Sequence, residues 1–373
     1  MSHAANDGQT EAANDGQTEP TAVEVWAEFC DLLKEAGTLL ERDDLQPSAF
    51  DRGEGLRYLA RLAGVGLVSF LENQGPRRPE FRWLPAHAGF GLDNPDNVYM
   101  SAGIDPRHDY RIHGTRGSIA YLSFAAQNQN YARRDRITGG AGHLNDEDLD
   151  LGPDGRFEVI ASQEPQPGSW LRLAPDTSMI LVRQTFMDPA TEVAADLRIE
   201  CLAPPPPPPR LDPAAVRNQL LGAAMYTIGA STWFADWVAP WMAEPNTFHA
   251  PDPEHHRLVG GDPNIVFRLG AWAIRPEERL VIEVTPPECD YWNFQLANIW
   301  TECLDKRYEP ISVNAHSAVL ESDGSVRIVV AHEDPGVANW VSTAGHDHGI
   351  MGVRWVRAAT HPMPETRVEP ISN

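Results

Sequence analysis

Residues 97–123 read NVYMSAGIDPRHDYRIHGTRGSIAYLS. Within them, 97–100, 110–113 and 118–123 follow a period of two. That is the period of a strand, whose successive side chains point to opposite faces. The pattern returns at 157–160 and 179–183. Turn formers punctuate it: Asp93-Asn94-Pro95-Asp96, Pro153-Asp154-Gly155 and Gln166-Pro167-Gly168. Short strands at this spacing predict a sandwich or barrel.

On the N-terminal side the period becomes helical. Val25, Trp26, Phe29, Leu32, Leu33, Leu39 and Leu40 recur on one face with acids opposite. Asp51 is expected to cap a second helix, with Leu56, Leu59, Leu62, Leu67, Phe70 and Leu71 as its apolar stripe and Gly75-Pro76 as its end. The pair reads as a lid or an oligomerisation element. Ahead of it the octapeptide AANDGQTE stands twice, at 4–11 and 12–19. It is too small and polar to bury a core, so it reads as a disordered tail.

On the C-terminal side, Pro204 to Pro209 are six consecutive prolines, a stiff spacer of about 3 Å per residue. Asp212-Pro213 then starts a helix, by the cap and first-turn preferences of these residues. It is expected to run to about Val238, where Pro240 interferes, with Trp233, Trp237 and Trp241 on one face. The polar stretch 249–262 reads as an exposed loop. Strands are expected at 265–269, 279–284, 291–296, 317–320 and 326–330, with a hairpin turn at Asp323-Gly324. The last dozen residues read as a loose tail.

The predicted fold is therefore mainly β (α+β), with two β-sandwich or jelly-roll-like units and both N-terminal and inter-domain helices. Its expected division is a tail at 1–20, helices plus a first β-rich domain at 21–203, and a linker at 204–212. A helix plus a second β-rich domain at 213–358 and a tail at 359–373 complete it.

Across 373 residues, 53 acids face 30 Lys and Arg, for a formal net charge of −23. Such an excess repels phosphate backbones and anionic lipid heads, which argues against nucleic-acid and membrane partners. No apolar run reaches the ~20 residues of a membrane span, and the first residues lack a secretory signal pattern. Cys30, Cys201, Cys289 and Cys303 form no C-x-x-C pair, so they read as thiols in a reducing cytoplasm. Two acids beside Cys289 disfavour a thiolate there.

Several motifs occur in fixed order: Pro286-Pro287-Glu288-Cys289-Asp290-Tyr291-Trp292, Asp323-Gly324-Ser325, Asp334-Pro335-Gly336-Val337-Ala338-Asn339-Trp340, Gly345-His346 and Gly352-Val353-Arg354-Trp355. Upstream stand Glu54-Gly55-Leu56-Arg57-Tyr58-Leu59, Asp93 to Tyr99 and Tyr110 to Gly114. Over roughly residues 50–358 this succession resembles the larger members of the bacterial family called domain of unknown function 1214. The resemblance implies a two-part fold rich in β-sandwich. It supplies no catalytic residues to carry over, and the Asp347-His348 beside His346 departs from its pattern.

The candidate chemistry comes from the residues alone. Asp93 and Asp96 are expected either as a base or polyol clamp, or as carboxylates of an Asx-turn. His113 could be a general base, with Arg116 holding an anion and Arg111, also a candidate, expected on the opposite face, or it is a satisfied strand histidine. His346 is the remaining catalytic candidate. Trp233, Trp237, Asn339, Trp340 and Arg354 could bind a flat or apolar ligand, or simply pack. His249, His255, His256, His346 and His348 match no metal motif, so no metal and no cofactor are expected. No nucleophile elbow, P-loop or dinucleotide fingerprint is present. The expectation is an enzyme doing acid–base or hydrolytic chemistry on a small neutral or apolar molecule, in a pocket between two β-rich units. The alternative is a non-catalytic binder of carbohydrate- or lipid-like ligands on Trp platforms. A small-molecule ligand or substrate is the expected partner, and a homo-oligomer is left open.

Overall fold

A computed structural model describes residues 19–72, 75–83, 89–128, 131–132, 138–207, 210–250, 252–258 and 260–371. The repeated octapeptide lies almost wholly outside them, as do Pro208 and Pro209. Pro204–Pro207 form neither helix nor strand; the Pro204 carbonyl accepts from Arg77, and that of Pro206 from Arg78 at 2.7 Å.

Two capping boxes start the first helices. Thr21 and Glu24 cap α1 (Ala22–Ala36), and Ser48 and Asp51 cap α2 (Ala49–Leu71). Ser48 therefore takes the cap position expected for Asp51, and Asp51 answers it from the third helical residue. Asp212 and Pro213 start α3 (Pro213–Met242) as expected. The helix runs past Pro240 because a proline in the last turn removes only one N–H. A short helix α4 (Pro253–Leu258) interrupts the polar stretch read as loop.

The chain is mainly β, with four sheets among the described residues. The first runs β1 (Arg82–Trp83), β2 (Asn97–Gly103), β8 (Met179–Thr185), β4 (Tyr121–Asn128), β5 (Gly139–Asn145). The second runs β7 (Trp170–Arg172), β6 (Arg156–Ser162), β3 (Tyr110–Thr115), β9 (Asp196–Cys201). Their inner faces share one core that includes Phe124, Val182, Ile112 and Val159. The third sheet runs β10 (Ile265–Ala273), β16 (His348–Val356), β12 (Tyr291–Ala297), β13 (Ser312–Asn314). The fourth runs β15 (Trp340–Ser342), β14 (Val326–Ala331), β11 (Glu278–Val284), β17 (Glu365–Pro370). Trp272, Trp292, Trp355, Phe294 and Ile282 fill the space between these two. Each such tryptophan removes on the order of 200 Å² from water, worth ~5 kcal/mol before entropy is counted.

The outer faces of the first and third sheets are not solvated. They touch at Tyr121, Ile265, Tyr291 and Val356. Beyond that contact α2 and α3 cover the third sheet, joining Leu62, Phe234, Trp300 and Ile350 in a third core. All eight residues of β4 are consequently buried.

Two strand expectations are corrected. Residues 317–320 form no strand, because the Asn314 side chain accepts from the His316 and Ser317 amides and bends the chain into a turn. The last residues are no loose tail: β17 pairs antiparallel with β11 from Glu278↔Pro370 to Glu283↔Glu365. Its charged side chains hide the strand in the sequence, yet they pair across it, Arg367 with Glu283 at 2.5 Å and Arg279 with Glu369 at 2.7 Å.

Candidate functional site

Where the two outer sheet faces diverge under α2 and α3, they enclose a cavity of about 1790 Å³. Its walls differ. One end is aromatic: Phe90, Tyr131, Tyr226, Phe234 and Trp237 line it with ring centroids 5.6 to 6.4 Å apart. Burial raises the Tyr131 and Tyr226 hydroxyl pKa values, so both stay neutral.

The opposite end carries charge. Glu54, Arg57 and Arg61 project from α2 at positions i, i+3 and i+7, one face of a helix. They meet the turn after β12, where the Asn298 side chain accepts from the Trp300 and Glu302 amides and Thr301 adopts a φ of 66°. That turn presents Glu302, 3% exposed, to the helix. Arg61 Nη1 donates to Glu302 at 2.7 Å, and Asn298 Nδ2 donates to Glu302 at 3.2 Å and Glu54 at 3.5 Å. Burial pushes the Glu302 carboxyl up to about 7 despite Arg61 and Asn298, and the nearby Glu54 charge adds to the rise.

His346 closes this end. Its Nδ1 lies 3.1 Å from the Thr343 carbonyl, which can only accept, so Nδ1 carries the proton. Nε2 is buried without a hydrogen-bond partner, 3.8 Å from Glu54 Oε2. Burial lowers the His346 pKa against the pull of Glu54, which leaves Nε2 with a free lone pair at neutral pH. Thus one carboxyl poised near neutrality and one unpartnered imidazole nitrogen face the same space. Such a pair can give and take protons.

A third wall is the outer face of the third sheet. Arg354 on β16 donates to Gln295 and to the Leu92 carbonyl, and its guanidinium lies 5.2 Å from the Phe267 ring centre. Asp93 accepts from the Cys303 amide at 3.1 Å; burial raises its pKa and that of the Cys303 thiol.

Four sequence candidates thus line the cavity: Asp93, His346, Trp237 and Arg354. Trp233 stands one turn from Trp237, and both stack on His255. Asp96 lies behind the wall, accepting from Tyr291 Oη at 2.7 Å and Asn314 Nδ2 at 2.9 Å, while Asn94 Oδ1 accepts the Asp96 amide in an Asx-turn. The other four are elsewhere. Arg111 and His113 sit on β3 in the second sheet, on the face turned away from its core, with Arg111 on Glu200 at 2.6 Å. Asn339 latches the Val319 backbone in both directions at 2.8 Å, and Trp340 donates to the Ala331 carbonyl on the edge of the fourth sheet. A strand's alternation separates its two faces without saying which one will be covered.

Sequence reasoning missed Glu54, Arg61 and Glu302. Charges spaced along a helix read as a solvated face, and nothing local marks Glu302 as buried. Among the described residues, Asp51, Asp347 and His348 place ligand atoms within 4.8 Å of one another. The Asp51 oxygen facing His348 already accepts from the Ser48 amide and hydroxyl, and His348 Nδ1 is 2.5 Å from Asp347. These contacts describe a helix cap tied to a strand end.

A family model described as a protein of unknown function (DUF1214) matches residues 275–357. An uncharacterized protein from Burkholderia cenocepacia of known crystal structure is 41% identical, over 93% of this chain and 97% of that one, with a TM-score of 0.89. The chain belongs to the DUF1214 family, as one of its larger, multi-part members. The VPA0106 protein from Vibrio parahaemolyticus is 12% identical, over 91% of this chain and 100% of that one, with a TM-score of 0.49. No curated protein matches the chain. No helix among the described residues is long and apolar enough to cross a membrane.

Proposed function

We propose that the cavity is the active site of an acid–base enzyme acting on a small organic molecule with a largely apolar body. One observation carries the reading: a carboxyl held near a pKa of 7, Glu302, stands in the wall of an aromatic-lined cavity beside Arg61 and Glu54. A group titrating there is populated in both protonation states at neutral pH, which suits proton transfer in either direction. His346 Nε2 supplies a second proton acceptor, and the aromatic end holds the apolar body out of water.

The test is a turnover screen, read by NMR, of esters, lactones and unsaturated acids with apolar chains. Product formation by the wild type is expected to fall at least ~100-fold in Glu302→Gln and in His346→Gln, the usual worth of a general acid or base. Saturable binding with no turnover of any bound compound makes the protein a binder. Absence of binding removes the cavity from consideration.

A further inference from the structure

Four of the seven guanidinium groups that line the cavity differ in how their charge is balanced. Arg57 lies 2.5 Å from Glu54 and Arg61 2.7 Å from Glu302. Arg183 and Arg354 have no carboxylate within ion-pair distance among the described residues. Arg354 is 3% exposed, and its partners are all neutral: the Gln295 and Asn293 side-chain oxygens and the Leu92 carbonyl. Arg183 donates from Nη2 to the Gly260 carbonyl at 2.8 Å, while its Nη1 is buried with no hydrogen-bond partner.

The two residues come from facing sheets, Arg183 from the outer face of β8 and Arg354 from that of β16. Both line the same cavity, as does Tyr99, which stands on β2 directly across from Arg183. Nearby carboxylates make their hydrogen bonds elsewhere, though Asp262 feels the charge of Arg183 and Asp93 that of Arg354. Asp93 accepts the Cys303 amide. Asp262 accepts from Tyr121 and the Asn264 amide and lies 3.0 Å from His143. A guanidinium does not give up its proton, and a buried cation without a counter-ion costs several kcal/mol. Arg354 is such a cation, and half-buried Arg183 keeps one buried nitrogen unpartnered; both line the one cavity, where an anion would complete the site.

We propose that Arg183 and Arg354 clamp the carboxylate of an amphipathic organic acid, whose apolar chain lies along the aromatic end at Phe90, Phe234 and Trp237. The inference rests on the cavity being the ligand site proposed above, and it replaces a neutral ligand by a singly charged one.

The experiment measures dodecanoate and 1-dodecanol, equal in chain and different in charge, by displacement of a fluorescent probe at neutral pH. Dodecanoate is expected to bind at least ~10-fold tighter. Arg183→Met and Arg354→Met should each lower its affinity at least ~10-fold while leaving 1-dodecanol within about twofold, because only a charged head loses its partner. If Arg354→Met does not fold, Arg183→Met, whose guanidinium makes one hydrogen bond to the chain, decides alone. Equal binding of the two probes, or dodecanoate binding indifferent to Arg183→Met, overturns the clamp and leaves the cavity standing. Failure of both probes to bind overturns clamp and cavity together.

Discussion

Arg61 Nη1 and Glu302 Oε1 meet at 2.7 Å across 241 positions of sequence. The contact ties α2 to the turn after β12 and places a titrating carboxyl under the helix. Its proton is held more firmly in the folded chain than in the unfolded one.

That difference makes stability depend on pH. With a folded pKa raised to about 7 from 4.5, the contribution of Glu302 is fully present below about pH 4.5 and is lost as pH rises through 7. The loss amounts to roughly 3 kcal/mol. Glu302→Gln has no such titration, so relative to wild type it should gain about that much between pH 4.5 and pH 8. Thermal denaturation of both proteins at the two pH values decides it; a constant difference would show that Glu302 is not perturbed.

Asp96 should prove structural. Tyr291→Phe removes a buried hydroxyl that donates to it at 2.7 Å, costing about 2 kcal/mol, as does Asp96→Asn. The double variant should lose less than the sum by at least ~0.5 kcal/mol, since both substitutions break one contact. Strict additivity in urea denaturation would mean the two residues do not interact.

Helix α2 offers two glycines with opposite expectations. A Cβ at Gly66 would stand 2.8 Å from the Ala223 carbonyl oxygen of α3, whereas one at Gly64 meets nothing within 4 Å. Gly66→Ala should therefore cost ~1–3 kcal/mol through forced separation of the helices. Gly64→Ala should gain up to ~1 kcal/mol from helix propensity. Melting temperatures that rise for both would mean that the helices do not pack this closely.

Removal of residues 364–373 takes away β17. The backbone of Leu280, Val281 and Ile282 then loses its ladder on one side, and the Thr366 hydroxyl no longer donates to the Asn246 carbonyl. At about 1 kcal/mol per net hydrogen bond the shortened chain should be at least ~2 kcal/mol less stable. Unchanged urea denaturation would restore the reading of a loose tail.

Much of the architecture is legible in the sequence, for local reasons. Asp212-Pro213 states where α3 starts, and the period-two runs from 97 to 183 overlap β2, β3, β4, β6 and β8. What escaped depends on distant partners. Gly139–Asn145 carries too little apolar surface to read as a strand, and β17 is pinned by charges whose partners lie about 90 positions away. The site divides the same way: Trp237 and Arg354 are conspicuous by residue type, but only the packing of α2 on the third sheet turns Glu54, Arg61 and Glu302 inward. His113 and Arg111, equally conspicuous, fall on the outer face of the second sheet, where both side chains are about two-fifths exposed.

A cavity whose walls come from α2, the 89–96 loop, β2, α3, the turn after β12 and β16 exists only when the whole chain is assembled. Its formation therefore waits for the most distant loop closures, which are the slowest entropic steps of folding. A ligand bound there sees the native state and nothing earlier, so each factor of ten by which its concentration exceeds its dissociation constant adds about 1.4 kcal/mol to global stability. An occupant there would also be a keystone, holding both sandwiches and the helical layer against unfolding at once.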